Sequence, residues 1–170
     1  MDQETADSIL NYYLTFRIDA EVFAANVGKV LEILEVPGIT RVPRSPEYMR
    51  GVINLRGNVL PVIDSRIKFG MNIAEDTVNT CIVVMLVEYQ QEELKIGVLV
   101  DAVQEVMEID AIDPPPAIQQ NAANDFISGV GKVNDQFIMI LDVDRVFSTS
   151  EKTALSGMEE QDEELANEQK

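Results

Sequence analysis

Histidine is absent from the 170 residues, and cysteine occurs once, at Cys81. Without an imidazole there is no Ser/His/Asp or Cys/His nucleophile pair and no His-rich metal site. A single thiol likewise excludes thiolate zinc sites and an intrachain disulfide. Basic residues are scarce, 13 against 30 acidic ones, for a net charge of -17. Such a chain repels phosphate backbones, so a nucleic-acid binder would need a concentrated basic face. Long apolar runs are also missing. The longest, Cys81 to Val87, spans seven residues, against roughly 20 for a bilayer crossing. The acidic start at Met1 to Glu4 lacks the basic and apolar regions of a secretion signal. A soluble, cytoplasmic chain without membrane insertion is expected. With 46% hydrophobic and 25% charged residues, it has the balance to fill the core of one domain or two small ones.

An internal repeat is present. Tyr48 to Asp64 returns 78 positions later as Phe126 to Asp142, with Gly51 matching Gly129, and Phe69 recurs as Phe147. Val27 to Val36 returns as Val100 to Ile109 at an offset of 73, the difference falling where Asp113-Pro114-Pro115-Pro116 lengthens a loop. Leu14, Phe16 and Ile18 alternate with polar neighbours at the two-residue period of a half-buried strand. After Asn26, a candidate N-cap, the spacing of Val27, Val30, Leu31 and Leu34 predicts about two turns of helix. A hairpin turning at Gly57-Asn58 is expected next, with Pro61 placing its strand at an edge or a bulge. Asp64 is placed to cap a short helix closing at Phe69-Gly70. About five short strands per repeat predict a mainly β protein built from two small five-stranded barrels with short helices. The domain is expected over 9–150, with the first barrel at about 12–70 and the second at about 78–147, their boundaries intertwined. Residues 151–170, with seven acids and two lysines, read as a disordered or frayed helical tail.

Candidate chemistry is thin. Gly129-Val130-Gly131-Lys132 lacks the spacing and following helix of a phosphate loop, and Asp142 reads as a helix cap rather than the start of a calcium loop. Cys81 reads as a small buried hydrophobe. No metal or cofactor site is indicated, and although the many carboxylates could supply an acid/base pair, nothing in their spacing singles one out. Arg41 to Lys68 holds six basic residues against two acidic, whereas Glu75 to Asp144 holds 14 acidic against two basic. That asymmetry suits docking to complementary partners. A nucleic-acid-binding small barrel is disfavoured, because Tyr48 and Phe69 are the only aromatics in or beside the basic segment.

The uninterrupted run from Tyr48 to Asp64, with Gly51, Asn54-Leu55-Arg56-Gly57 and Pro61, closely resembles the most recognisable segment of the CheW family of bacterial chemotaxis coupling proteins. Lys29 to Ile33 and Phe126 to Gly131 also match, and the resemblance spans roughly Asn11 to Phe147. It implies two SH3-like five-stranded barrels around a shared core and no catalytic activity. It further implies a scaffold that joins the cytoplasmic tips of methyl-accepting receptors to the regulatory domain of the histidine kinase CheA, in arrays beneath the membrane. A coupling protein of a non-flagellar pathway, for pilus motility or development, is the alternative.

Carried onto this sequence, the resemblance gives receptor-facing residues Val30, Glu32, Arg50, Gly51 and Arg56. Glu32 is expected to end a helical turn and Arg56 to sit at a hairpin tip, where a guanidinium meets a carboxylate in bidentate fashion; the two are expected to pair. Kinase contacts are expected at Ile39, Thr40, Arg41 and Val42, and at Pro115 and Ile118, as apolar loop stretches tend to mark interfaces. Asp113 departs from the family pattern at a place often basic.

Overall fold

The computed structural model describes residues 10–115 and 126–168. In chain order its strands are β1 (Tyr12–Ile18), β2 (Glu21–Asn26), β3 (Val30–Glu35), β4 (Met49–Leu55), β5 (Asn58–Asp64), β6 (Cys81–Tyr89), β7 (Glu92–Val100), β8 (Ala102–Glu108), β9 (Ile112–Asp113), β10 (Ile127–Val133) and β11 (Gln136–Leu141). They form sheet A, ordered β8-β1-β2-β11-β10-β9, and sheet B, ordered β3-β6-β7-β5-β4.

The sequence repeat and the sheets divide the chain differently. Hairpin β1–β2 belongs to the first repeat but lies in sheet A among the strands of the second; hairpin β6–β7 belongs to the second repeat but lies in sheet B among the strands of the first. Consecutive residues 12–70 therefore do not make one sheet, nor do 78–147. Each repeat lends its first hairpin to the other, and the order within the sheets is equivalent, β9 aside. Neither sheet is complete without the other repeat, which ties together two units too small to bury a large core alone.

Each sheet is apolar on both faces, as strands covered on both sides must be. Ile53, Leu60, Val62, Ile82, Val84 and Leu99 fill the inner curl of sheet B. Val22, Ala24, Ile109, Ile138 and Ile140 do the same for sheet A. Between the sheets lies a larger shared core that includes Leu14, Phe16 and Ile18, as the alternation in β1 requires, with Val83, Met85, Val98 and Phe147. A stack of rings runs through it, Phe16 to Phe23 at 6.4 Å, Phe23 to Phe69 at 5.7 Å and Phe69 to Phe126 at 4.5 Å.

Three local expectations need correction. Asn26 does cap, its Oδ1 accepting from the Gly28 N–H at 2.9 Å, but the helix it starts is a single 3-10 turn, Val27–Lys29, followed by β3. Apolar residues at 30, 31, 33 and 34 satisfy a helical spacing and a two-faced strand equally, and pairing with β6 decides for the strand. The β4–β5 turn is Arg56-Gly57, not Gly57-Asn58, because Leu55 pairs with Asn58. Pro61 is not at an edge, since β5 lies between β4 and β7. Its partner Val52 has spent both backbone groups on Thr40, so Pro61 owes no bond to β4, and pairing with β7 begins only at Val62. Of the two readings of the tail, disordered or helical, its described part takes the second, as a helix over Thr149–Glu168.

That helix is anchored at its start. The Ser148 N–H donates to Glu151 Oε1 at 2.9 Å and the Glu151 N–H returns to Ser148 Oγ at 3.2 Å, a capping box. Lys68 Nζ donates to Glu151 Oε2 at 2.7 Å, and Leu155 is buried in the shared core. Partial burial would raise the Glu151 carboxyl, but hydrogen bonds from Lys68 and Tyr48 outweigh it and hold it at about 2. Asp64 and Asp142 cap as expected, each accepting from the N–H two residues on.

Candidate functional site

Glu32 lies on β3 and Arg56 in the β4–β5 turn, on strands at opposite edges of sheet B. The curl brings those edges together. Arg56 Nη1 donates to Glu32 Oε2 at 2.6 Å and Nη2 to Oε1 at 2.8 Å, a bidentate pair that latches the open side of the barrel. The hydrogen bond from Arg56 holds the Glu32 carboxyl below the usual range and raises the guanidinium in turn. Arg56 has φ 51 and Gly57 φ 87, both left-handed, as a type I′ turn demands. Asn or Gly is the usual first residue of such a turn, so an arginine there is retained against its backbone preference. Asn54 Oδ1 steadies the turn by accepting from the Gly57 N–H at 2.8 Å. The repeat positions in sheet A are Glu105 and Asn134, which cannot form such an ion pair.

Leu31 and Ile33 flank Glu32 on β3 and are 44% and 46% exposed. Ile33 pairs with Val83, a residue of the shared core, and Leu31 falls at the register shift between Val30 and Glu32, so two exposed apolar side chains border the latch. Sequence reasoning missed them because a helical reading scatters them; a strand reading would have aligned them.

The remaining receptor-facing candidates do not gather there. Val30 is partly buried against the shared core. Arg50, at the far end of β4, lies six residues and roughly 20 Å from Arg56 along an extended strand. Its Nη1 meets Asp64 Oδ2 at 3.2 Å and its Nη2 meets Asp76 Oδ2 at 2.7 Å. Gly51 is buried and faces Thr40. Its φ is 148, and a Cβ there would stand 2.2 Å from the Thr40 carbonyl oxygen and 2.8 Å from Ile39 Cγ2.

Among the expected kinase contacts, Thr40 makes an antiparallel bridge with Val52, at the repeat positions of the Asp113–Val130 pair in sheet A. Ile39 packs toward the sheet B curl and Val42 toward the shared core, so the apolar members point inward. Thr40 and Arg41 are exposed and Pro115 is half-buried. Ile118 lies outside the described residues.

Folding also dismantles the basic segment. Arg66, 1% exposed, meets Asp64 at 3.2 Å, Asp76 at 3.3 Å and Asp101 at 3.3 Å, and donates to the Ala74 carbonyl at 2.5 Å. Burial would lower its guanidinium, but Asp64 and Asp101 more than compensate. With Arg50, Arg56 and Lys68 also in ion pairs, only Arg41 and Arg44 of the six make no ion pair or hydrogen bond among the described residues. Among the described residues this segment therefore presents no broad cationic face. Among the described residues, no group of ligating side chains could hold a metal, and no helix is long and apolar enough to cross a membrane.

Comparison with known proteins fits this geometry. A family model described as CheW-like domain matches residues 12–151. The chain belongs to the CheW-like family. It is 35% identical over 143 residues to a probable chemotaxis protein CheW of Rhizobium etli, covering 83% of this chain and 90% of that one. It is 33% identical to chemotaxis protein CheW of Helicobacter pylori, covering 85% of each. The solved scaffolding protein TtCheW of Thermoanaerobacter tengcongensis superposes with a TM-score of 0.72 at 31% identity, covering 81% of this chain and 92% of that one. The CheW-like match contains the Glu32–Arg56 latch and the Arg66 cluster, and it stops at the first turn of the C-terminal helix.

Proposed function

We propose that this CheW-like chain is a non-catalytic coupling adaptor of bacterial chemotaxis, holding the cytoplasmic tip of a methyl-accepting receptor and the regulatory domain of a CheA-type kinase in fixed geometry. The observation that carries the reading is the Glu32–Arg56 latch, a bidentate ion pair kept at a strained turn and bordered by exposed Leu31 and Ile33. A helical hairpin presents apolar and charged side chains one turn apart, which suits an apolar edge beside an ion pair. The barrels supply the rigidity, since their strands are paired and both faces are packed.

The test is a charge exchange. Glu32→Lys and Arg56→Glu should each weaken binding of a receptor cytoplasmic fragment by roughly tenfold or more, and the double exchange should recover most of the loss. Single variants that bind like wild type, or a double variant as weak as the singles, would contradict the role of the latch. Because the folded-state Glu32 carboxyl is lowered, the latch is complete above the ordinary glutamate range and is lost only as pH falls below it.

A further inference from the structure

We propose that Asp144 is a positioning residue for the receptor-facing edge, fixing through Lys29 where β3 begins and so where Glu32 stands to meet Arg56. The inference rests on the adaptor reading of that edge and names the side chains that support it from behind.

The edge needs such support. β3 closes one side of sheet B and has a ladder partner, β6, on its other side only. Its register with β6 shifts between Val30 and Glu32, directly ahead of the carboxylate that makes the latch. A bulge leaves a residue unpaired and bends its strand, so the aim of the side chain beyond it depends on what holds the strand ahead of it. The residue ahead of β3 is Lys29, the last of the 3-10 turn Val27–Lys29.

Asp144 holds Lys29 from 115 positions away in the chain. Lys29 Nζ lies 2.9 Å from Asp144 Oδ2 and donates to Oδ1 at 3.2 Å. The same carboxylate accepts the Glu88 N–H at 2.8 Å. Glu88 is on β6, beyond Met85, where the ladder with β3 starts at Val30. One side chain thus ties the residue before β3 to the continuation of its own ladder partner. Partial burial would raise the Asp144 carboxyl, but the Glu88 N–H and Lys29 outweigh it and hold it below its ordinary range.

Asp144 is itself held in place. It lies in the 3-10 turn Val143–Arg145, where its N–H donates to Asp142 Oδ1 at 3.2 Å and Val143 and Val146 on either side are buried. The C-terminal helix braces the far contact, with Lys152 Nζ donating to the Glu88 carbonyl at 2.9 Å and Tyr89 Oη meeting Thr153 Oγ1 at 2.8 Å. A site is precise when the groups behind it are themselves locked. The Lys29 and Asp144 side chains are 32% and 29% exposed, too open for the pair to stabilise the fold much. Its contribution is placement. The charges that lower the Glu32 carboxyl are Arg56, chiefly through its hydrogen bond, and Lys95, so removing Lys29 reaches Glu32 through the position of β3.

The experiment measures receptor-fragment binding, the NMR titration of the Glu32 carboxyl and thermal unfolding for wild type, K29M, D144N and K29M/D144N, with K29R and Gly129→Ala as controls. K29M and D144N should each weaken receptor binding roughly fivefold or more and move the Glu32 titration up toward the ordinary glutamate value of about 4.3. The double variant should bind no more weakly than the weaker single, since both remove one contact, and K29R should bind like wild type. Unfolding temperatures of the single variants should fall by no more than about 4 °C. Gly129→Ala, strained in sheet A, should unfold at a lower temperature yet leave the Glu32 titration at its wild-type position. Wild-type receptor affinity in K29M and D144N, an unmoved Glu32 titration, additive losses in the double variant, or a Glu32 titration that moves equally in Gly129→Ala would overturn the inference while leaving the adaptor reading standing. No receptor binding by the wild type would overturn the adaptor reading, and this inference with it.

Discussion

Replacing Arg66 with methionine is expected to destabilise the fold by roughly 3–5 kcal/mol, the usual cost of removing one partner from a buried charge cluster. Arg66 and Asp64 are each 1% exposed, so water cannot take over what the guanidinium leaves. Three elements lose their common anchor. They are Asp64 at the end of β5, the stretch at Ala74 and Asp76 leading to β6, and Asp101 at the crossing from sheet B to sheet A. Asp101 also accepts the Asp19 N–H at 2.6 Å, which links the cluster to the β1–β2 turn. Arg50 remains on Asp64 and Asp76 and softens the loss, so the lower half of the range is favoured. Urea denaturation reads the effect. A loss under about 1 kcal/mol, the level of an exposed pair, would show that the cluster does not hold the fold.

Gly51→Ala should cost about 2–3 kcal/mol, at the upper end of overpacking penalties, and lower the melting temperature by roughly 5–10 °C for a chain of this size. The added methyl would stand 2.2 Å from a backbone oxygen, which cannot swing away as a side-chain tip does. To relieve it, the Thr40–Val52 bridge must open, and the turn after it must shift. Gly129→Ala meets Ile112 Cγ2 at 2.5 Å and the Asp113 oxygen at 2.8 Å and should behave similarly. Gly38 has nothing within 4 Å of a Cβ, so Gly38→Ala should stay within about 0.5 kcal/mol of wild type. Equal melting temperatures for the Gly51 and Gly38 variants would refute the close-approach argument.

Much of the fold was legible because its signals are local. The alternation of Leu14, Phe16 and Ile18 specified the inward face of β1, and the 78-residue repeat paired hairpin β4–β5 with β10–β11 and Gly51 with Gly129. The hairpin exchange was not legible, since strand partners are chosen by long-range packing and a repeat looks the same whichever copy completes each sheet. The helix expected at Val27 to Leu34 failed for a related reason. Apolar residues on both faces of a strand mimic a helical spacing, and only pairing with β6 separates the two.

The Glu32–Arg56 pair was legible through the resemblance, although Glu32 proved to be on a strand. Charge read along the chain misled most. The basic run from Arg41 to Lys68 seemed a ready docking face, but its carboxylate partners Glu32, Asp76, Asp101 and Glu151 lie outside the run and meet it only in three dimensions. Repeat symmetry gives no guide to charge either. The repeat position of Arg66 is Asp144, which pairs with Lys29 at 2.9 Å. What folding leaves of the run is the exposed pair Arg41 and Arg44.

The central claim is that one chain bridges two partners, and co-sedimentation of a receptor fragment assembly with a CheA-type kinase, with and without this protein, tests it most directly. The account expects kinase in the receptor pellet to rise severalfold when the protein is added, and the rise to be abolished by Arg56→Glu. Kinase recovery unchanged by the protein, or a pellet that holds neither the protein nor the kinase, would contradict it.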